Sequence, residues 1–248
     1  MRSSNPILTR GRGFAAMNPN STDSLEAAYA APSAGGVSTG RMTIEDVVMR
    51  TATLFVVLVA VGSVAYGANL GGGAIMLGVF GGFILAMVNS FKRNVSPALV
   101  VAYAAFEGLA LGGISRLYND AYQGIVGQAV LGTLCAFAGI LVAYRSGKVR
   151  VTPKFTRIMF GALIGYMVFG LITMFTGFPG GSTGTLIALA GVALATFFLV
   201  LDFDQIERTI AAGAPRDESW RCAFGLMVTL VWLYLEVLRL LSILRNND

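Results

Sequence analysis

The sequence contains no histidine and only two cysteines, and charged residues make up just 12% of its 248 positions. Soluble globular proteins carry roughly 25% charged residues, so this composition argues against a soluble fold. Histidine is the side chain that most often titrates near neutral pH, and in its absence any response to pH must come from carboxyl groups. Cys135 and Cys222 lie in or beside apolar runs, where thiols behave as small hydrophobic groups. No disulfide framework or zinc site is therefore predicted.

Hydrophobic residues dominate, at 55% of the chain, and the mean hydropathy is +0.71. A helix needs about 20 mostly apolar residues to span a bilayer. Seven runs approach that length, at 47–67, 74–91, 98–118, 124–144, 156–176, 185–203 and 221–244. The chain is therefore predicted to be an all-α integral membrane protein, a bundle of seven transmembrane helices.

The first 42 residues are rich in Ser, Ala, Gly, Pro and Asn and contain no long apolar run. They are predicted to form a flexible cytoplasmic tail (1–42) ahead of a seven-helix transmembrane domain (43–248). A signal peptide would need an apolar stretch directly after the first basic residues, so the first membrane segment is expected to be retained. Thr43 and Asp46 have the spacing of a helix N-cap and its third residue, which predicts the start of the first helix.

Lysine and arginine are distributed unequally between the two ends of the predicted segments. Fifteen of the 18 lie in the tail, at the start of the first segment, or in the second, fourth and sixth connections; the other three are Arg116, Arg239 and Arg245. The positive-inside rule then predicts a cytoplasmic amino terminus in a cell's inner (plasma) membrane. The lipid bilayer, and not nucleic acid, is the expected partner. A re-entrant seventh segment stays an alternative, because that segment carries two charges.

Pairs of glycines four residues apart occur in three segments, at 78 and 82, 108 and 112, and 161 and 165. Such pairs let helix backbones approach closely in lipid. Close helix packing is expected at all three.

Three acidic residues lie at membrane depth, where a carboxylate costs on the order of a few kcal/mol unless it is protonated, paired or hydrated. Glu107, in the middle of the third segment, is expected to face the bundle interior and to hold a proton. It is either a functional group or a neutral acid hydrogen-bonded to a neighbouring helix.

Asp202 lies at the end of the sixth segment, and Gln205 and Thr209 continue its helical face. Asp204 points about 200° away around the helix. We expect it to form an exposed, locally paired helix end with Arg208, so Asp202 is the functional candidate.

Glu236 lies within the seventh segment, three residues before Arg239 on the same face. The two can form an ion pair with each other. Alternatively Glu236 approaches Asp202, and two carboxylates in a dry site cannot both ionise cheaply. One shared proton would then hold the two helices together, and its loss would separate them or admit a hard cation such as Ca2+. Asp202 and Glu236 are thus the predicted proton-sensing and cation-binding pair.

Several short motifs together resemble the transmembrane Bax inhibitor motif family, in its bacterial YetJ/YccA-like branch. They are the Asp202-Phe-Asp-Gln-Ile end of the sixth segment, Leu-Tyr-Leu-Glu236-Val-Leu-Arg-Leu in the seventh, Glu107-Gly-Leu in the third and Lys92-Arg93 after the second. The resemblance covers about residues 43–246 and implies seven helices with the last one central.

The resemblance also implies a Ca2+ leak channel gated by protonation of Asp202 and Glu236. Arg93, or alternatively Lys92, matches the basic latch at the end of the second segment, and Glu107 and Arg239 are auxiliary buried charges. The family pattern commonly has aspartate at the position of Glu236, which is one methylene longer here. No cofactor is expected beyond Ca2+ as the transported or bound ion.

Two other functions stay open. Resemblance to the YccA-like branch also suggests a non-transport modulator of a membrane protease or stress pathway, which would have a membrane protein as its partner. A proton-coupled transporter is the other possibility, since buried acids serve proton relays. An enzyme is not expected, because the sequence has neither histidine, a Gly-x-Ser-x-Gly turn nor a cysteine paired with a base.

Overall fold

The computed structural model describes residues 40–147 and 149–246, and this part of the chain contains seven α-helices. They are α1 (Ile44–Ala68), α2 (Gly71–Phe91), α3 (Pro97–Ala121), α4 (Ile125–Arg145), α5 (Pro153–Thr176), α6 (Gly181–Ala211) and α7 (Glu218–Asn246). All seven are long and apolar enough to cross a membrane. The predicted all-α membrane bundle is therefore confirmed, and α7 is one continuous helix of 29 residues.

Local sequence explains where several helices begin. Thr43 caps α1: its hydroxyl accepts from the backbone N–H of Asp46, whose carboxylate accepts from the N–H of Thr43. Thr152 caps α5 in the same way through the N–H of Phe155, and proline occupies the first turn of α3 and α5, where no helical N–H is needed. The predicted capping at the start of the first helix is confirmed.

Helix α7 occupies the centre of the bundle. It packs against α1, α3, α4 and α6, whereas α2 packs mainly on α3, and α5 mainly on α6. In the most apolar 18-residue stretch of α7, half of the residues are buried within the protein. In the corresponding stretch of α5, none is buried. The central position of the last helix is as expected, and α5 is a peripheral helix that exposes most of its surface.

The three glycine pairs do not behave alike. Gly108 and Gly112 of α3 press against the backbone of α1: a Cβ on Gly108 would lie 2.6 Å from the carbonyl oxygen of Leu58. The pair at 78 and 82 on α2 packs similarly against α3. In contrast, no described atom lies within 4 Å of a Cβ built on Gly161 or Gly165. The expected close packing is wrong for this last pair: Gly165 lines a cavity between α5 and α6, so the two helices leave a gap there.

The predicted basic connections gather at one end of the bundle, called here the basic end. Met42 donates its N–H to the carbonyl of Ala214 at 2.9 Å, and Arg216 forms a 2.7 Å salt bridge with Asp46. These contacts join the start of α1 to the α6–α7 connection. The predicted tail falls largely outside the described residues, as does Lys148.

Candidate functional site

Glu236 lies in the bundle interior, with its side chain only 5% exposed. Its Oε2 accepts a hydrogen bond from the hydroxyl of Tyr166 at 2.7 Å, and its Oε1 accepts one from the indole Nε1 of Trp232 at 3.0 Å. The guanidinium of Arg239 lies 3.6 Å from Oε2. Both carboxylate oxygens therefore have donors, which is the environment that an ionised glutamate requires.

Arg239 connects this carboxylate to the bundle surface. Its Nη1 donates to the hydroxyl of Tyr166 at 3.3 Å, and its guanidinium lies 5.1 Å from the ring centroid of Phe178. The Arg239 side chain is 41% exposed, so it reaches the surface of the bundle while its partner Glu236 is buried. The predicted alternative of an ion pair between Glu236 and Arg239 agrees with this geometry.

A glycine on α6 makes room for the carboxylate. A Cβ built on Gly191 would lie 2.5 Å from Oε2 of Glu236 and 2.9 Å from its Cδ, and it would also overlap the hydroxyl of Tyr166. Heavy atoms do not approach so closely, so glycine is needed here for α5, α6 and α7 to meet at this point. The ring of Trp232, 6.2 Å from that of Tyr166 and 5.7 Å from that of Phe198, covers the cluster.

Asp202 lies on α6 nearer the basic end. Its Oδ2 is buried and has no hydrogen-bond partner in the described part of the chain. The hydroxyl of Thr229 on α7 lies beside this carboxyl group, but its hydrogen bond goes to the carbonyl of Gly225 at 3.3 Å. Asp202 also lines a cavity of about 600 Å³ whose other polar walls include Arg157 and Arg208. The carboxyl group thus lies between a buried hydroxyl and a polar vestibule.

The structure does not bring the two acids together. Asp202 lies beside Thr229, seven residues before Glu236 on α7, which corresponds to about 10 Å along the helix. The fully buried Leu199 of α6 and Leu233 of α7 belong to one apolar core cluster. Among the described residues, no group of three acidic, cysteine or histidine side chains could hold a metal ion. In the described part of the chain no hydrogen bond joins the two carboxyl groups, and the cation site predicted for the pair stays a prediction.

A comparison with models of protein families shows the family to which the chain belongs. The model of the family described as "Bax inhibitor 1 like" matches residues 5–246, nearly the whole chain. The chain belongs to the Bax inhibitor 1 like family. A comparison with curated proteins gives no match.

Glu107 of this Bax inhibitor 1 like protein lies away from the acids of α6 and α7. Its Oε1 lies 3.0 Å from where a Cβ on Gly82 of α2 would be, and the hydroxyl of Tyr103 lies beside its carboxyl group. Glu107 is therefore at the interface of α2 with α3. Tyr103 belongs to α3 itself, so the predicted hydrogen bond from Glu107 to a neighbouring helix stays a prediction. Glu107 adds no third carboxyl to the other two.

The connection between α2 and α3 contributes backbone atoms rather than a basic side chain. Arg221 of α7 donates to the carbonyl oxygen of Arg93 at 2.7 Å and to that of Lys92 at 3.3 Å, and it pairs with Glu218 at 2.8 Å. A basic group does fasten this connection to α7, but in this conformation it comes from Arg221. The latch role predicted for Arg93 stays a prediction.

Sequence reasoning missed four residues that lie beside Glu236 or Asp202: Tyr166, Gly191, Thr229 and Trp232. Trp232 could have been found, because it precedes Glu236 by four residues and so shares its helical face. Thr229 lies one further turn back, at a spacing of seven. Tyr166 and Gly191 carry no such signal, since only the packing of α5 and α6 places them there.

Proposed function

We propose that the protein is a pH-sensitive leak pathway for Ca2+ across the cytoplasmic membrane, controlled by proton occupancy of Asp202 and Glu236. Membership of the Bax inhibitor 1 like family and seven membrane-length helices support a membrane role. The observation that carries the proposal is the buried, unpartnered Oδ2 of Asp202. A buried acceptor without a partner costs about 1–3 kcal/mol, so this oxygen favours either a proton or a cation.

The cavity beside Asp202 indicates the end of the bundle from which a cation would reach this residue. Asp202 shares a cavity of about 600 Å³ with polar residues of α5 and α6 at the basic end. A hydrated cation entering there meets a carboxyl oxygen, the ligand type that Ca2+ prefers. When Asp202 holds a proton, its charge is lost and so is the attraction for the cation.

Glu236 serves as a second step in series with Asp202. Its oxygens are occupied by donors from Tyr166, Trp232 and Arg239, so a cation must displace Arg239 to bind there. Leu199 lies between Gly191 and Asp202 along α6, and Leu233 lies between Thr229 and Glu236 along α7; both leucines are buried. This arrangement fits a closed conformation, and conduction requires α6 and α7 to move apart between the acids.

The test is a Ca2+ flux assay in proteoliposomes containing an internal Ca2+ indicator, over about pH 5 to 8. Flux through the wild-type protein is expected to rise with pH, as protons leave the carboxyl groups. Asp202→Asn removes the titrating group while keeping its shape, so flux should be low and flat across this range. Glu236→Gln should lower flux and shift the profile.

Asp120→Asn is the matched control. It makes the same chemical change at an exposed carboxylate of α3, which pairs with Arg116 at 2.9 Å and does not line the cavity of Asp202. Its pH profile should follow the wild type. If the double variant Asp202→Asn, Glu236→Gln conducts Ca2+ with the wild-type pH profile, the proposal is wrong.

A further inference from the structure

A groove runs along the bundle between α1 and α4, with α7 as its floor. It consists of a cavity of about 420 Å³ nearer the basic end and one of about 350 Å³ beyond it. The two cavities are continuous, because they share four lining residues: Phe55, Thr133, Leu134 and Leu230. The lining residues of α1 extend from position 44 to 66, about 33 Å along the helix. The groove therefore crosses the whole hydrocarbon core of a bilayer, which is about 30 Å thick.

A polar pocket adjoins the groove at the basic end. Its volume is about 500 Å³, and it shares Tyr144, Arg145 and Glu207 with the apolar groove. Arg150 and Asp204 line its other sides. An apolar channel at membrane depth thus opens into a charged pocket at the membrane surface, which is the polarity pattern of an amphiphile.

Arginine charges outnumber carboxylate charges in this pocket once the paired Asp204 is set aside. The carboxylate of Glu207 accepts from the hydroxyl of Tyr144 at 2.7 Å, and that of Asp204 pairs with Arg208 at 2.6 Å. Within residues 40–147 and 149–246, neither Arg145 nor Arg150 makes a hydrogen bond or salt bridge. The Tyr144 hydroxyl is neutral and leaves the charge of Glu207 in place, so the pocket keeps one positive charge in excess. Two guanidinium groups without a partner favour a phosphate group as their ligand.

One polar atom inside the groove also lacks a partner. The Oγ1 of Thr51 on α1 is buried and makes no hydrogen bond to the described chain, and Thr51 lines the groove. It lies seven residues from Ile44, about 10 Å inward from the start of α1. After a rotation of the Thr51 side chain toward the groove, an ester carbonyl at the base of a lipid headgroup would accept a hydrogen bond from this hydroxyl.

We propose that the groove binds a membrane glycerophospholipid, with its phosphate on Arg145 and Arg150 and an acyl chain between α1 and α4. A peptide is a poor occupant at this depth, because its backbone groups would lack hydrogen-bond partners in the hydrocarbon. A lipid satisfies the apolar walls, the Thr51 hydroxyl and the two guanidinium groups together. The site is independent of the pathway proposed for Asp202 and Glu236.

Native mass spectrometry of the full-length protein in detergent, titrated with phosphatidylglycerol, tests the proposal. The double variant Arg145→Gln, Arg150→Gln should weaken the tightest binding step at least ~10-fold, since two charge-assisted contacts are lost. Lys154→Gln removes a charge at the same end of the bundle and should leave the affinity within about twofold. Diacylglycerol, which lacks the phosphate, should bind to the wild type as weakly as phosphatidylglycerol binds to the double variant.

A second pair of variants tests the acyl-chain groove without changing charge. Leu134→Trp fills the groove and should weaken binding, whereas Leu171→Trp places the same residue on the exposed face of α5 and should not. Both leucines are about half exposed or more, so folding is expected to survive, and circular dichroism checks it. The proposal would be overturned if the wild type and all of these variants bound phosphatidylglycerol with equal affinity. It would also be overturned if the wild type bound diacylglycerol as tightly as phosphatidylglycerol.

Discussion

Replacing Gly191 by alanine tests whether the Glu236 cluster depends on close packing of α6. The new methyl group would lie 2.5 Å from Oε2 of Glu236 and would overlap the hydroxyl of Tyr166. Alanine favours the helix by about 1 kcal/mol over glycine. Overpacking costs about 1–3 kcal/mol, and loss of a hydrogen bond to a charged group costs about 1.5–3 kcal/mol. The net expectation is a destabilisation of about 1.5–5 kcal/mol.

Gly161→Ala is the matched control, because no described atom lies within 4 Å of its added methyl group. This variant should be neutral or more stable by up to about 1 kcal/mol. The free energy of unfolding of each variant can be measured by chemical denaturation in mixed micelles, with helix content followed by circular dichroism.

A double-mutant cycle identifies the atoms responsible. In a Glu236→Ala background the carboxylate is absent, so Gly191→Ala should cost at least about 1 kcal/mol less than it does in the wild type. Equal costs in the two backgrounds would show that the methyl group is accommodated without disturbing the carboxylate, and the packing argument would fail.

Three further predictions concern the frame around the site, and unfolding in mixed micelles measures each. Arg221→Gln should destabilise the protein by about 1–2 kcal/mol, because two carbonyls of the α2–α3 connection lose their donor. Its control is Arg208→Gln, which breaks an ion pair at the surface and should change the stability by less than about 1 kcal/mol. Gly112→Val should destabilise the protein by about 1–3 kcal/mol, because its Cβ meets the backbone of α1. The control is Gly139→Val on α4, whose Cβ meets no neighbouring element within 4 Å. Similar losses of stability for both variants would contradict the packing argument. Ser115→Ala should cost about 1–2 kcal/mol, because its 2.7 Å hydroxyl partner on α7 is left unpaired, and no loss would mean that water replaces it.

The helices could be predicted from hydropathy because each must present about 20 apolar residues to lipid. The boundaries were less accurate where polar residues continue a helix beyond the apolar run. The apolar run of the sixth segment stops at residue 203, but α6 continues to Ala211. There Gln205 and Thr209 support each other, with the Gln205 Nε2 donating to the Thr209 hydroxyl at 3.3 Å.

The acids of the site could be found from sequence, since a carboxylate within an apolar run is conspicuous. Their partners could not all be found in that way. Helical spacing relates Glu236 to Arg239 and Trp232, and the structure has both contacts. Whether Glu236 reaches Asp202 depends on the relative axial position of α6 and α7, which periodicity does not determine. In this structure their side chains meet different neighbours, about two helical turns apart.

The peripheral placement of α5 has a dynamic consequence. None of its residues is fully buried, whereas twelve residues of α7 are, so displacing α5 would uncover less protein surface than displacing α7. Its tether to the centre is one phenolic hydroxyl together with a few edge-to-face ring contacts. Amide hydrogen exchange should therefore be faster in α5 than in α7, and a swing of α5 would remove the Tyr166 hydrogen bond from the Glu236 carboxylate.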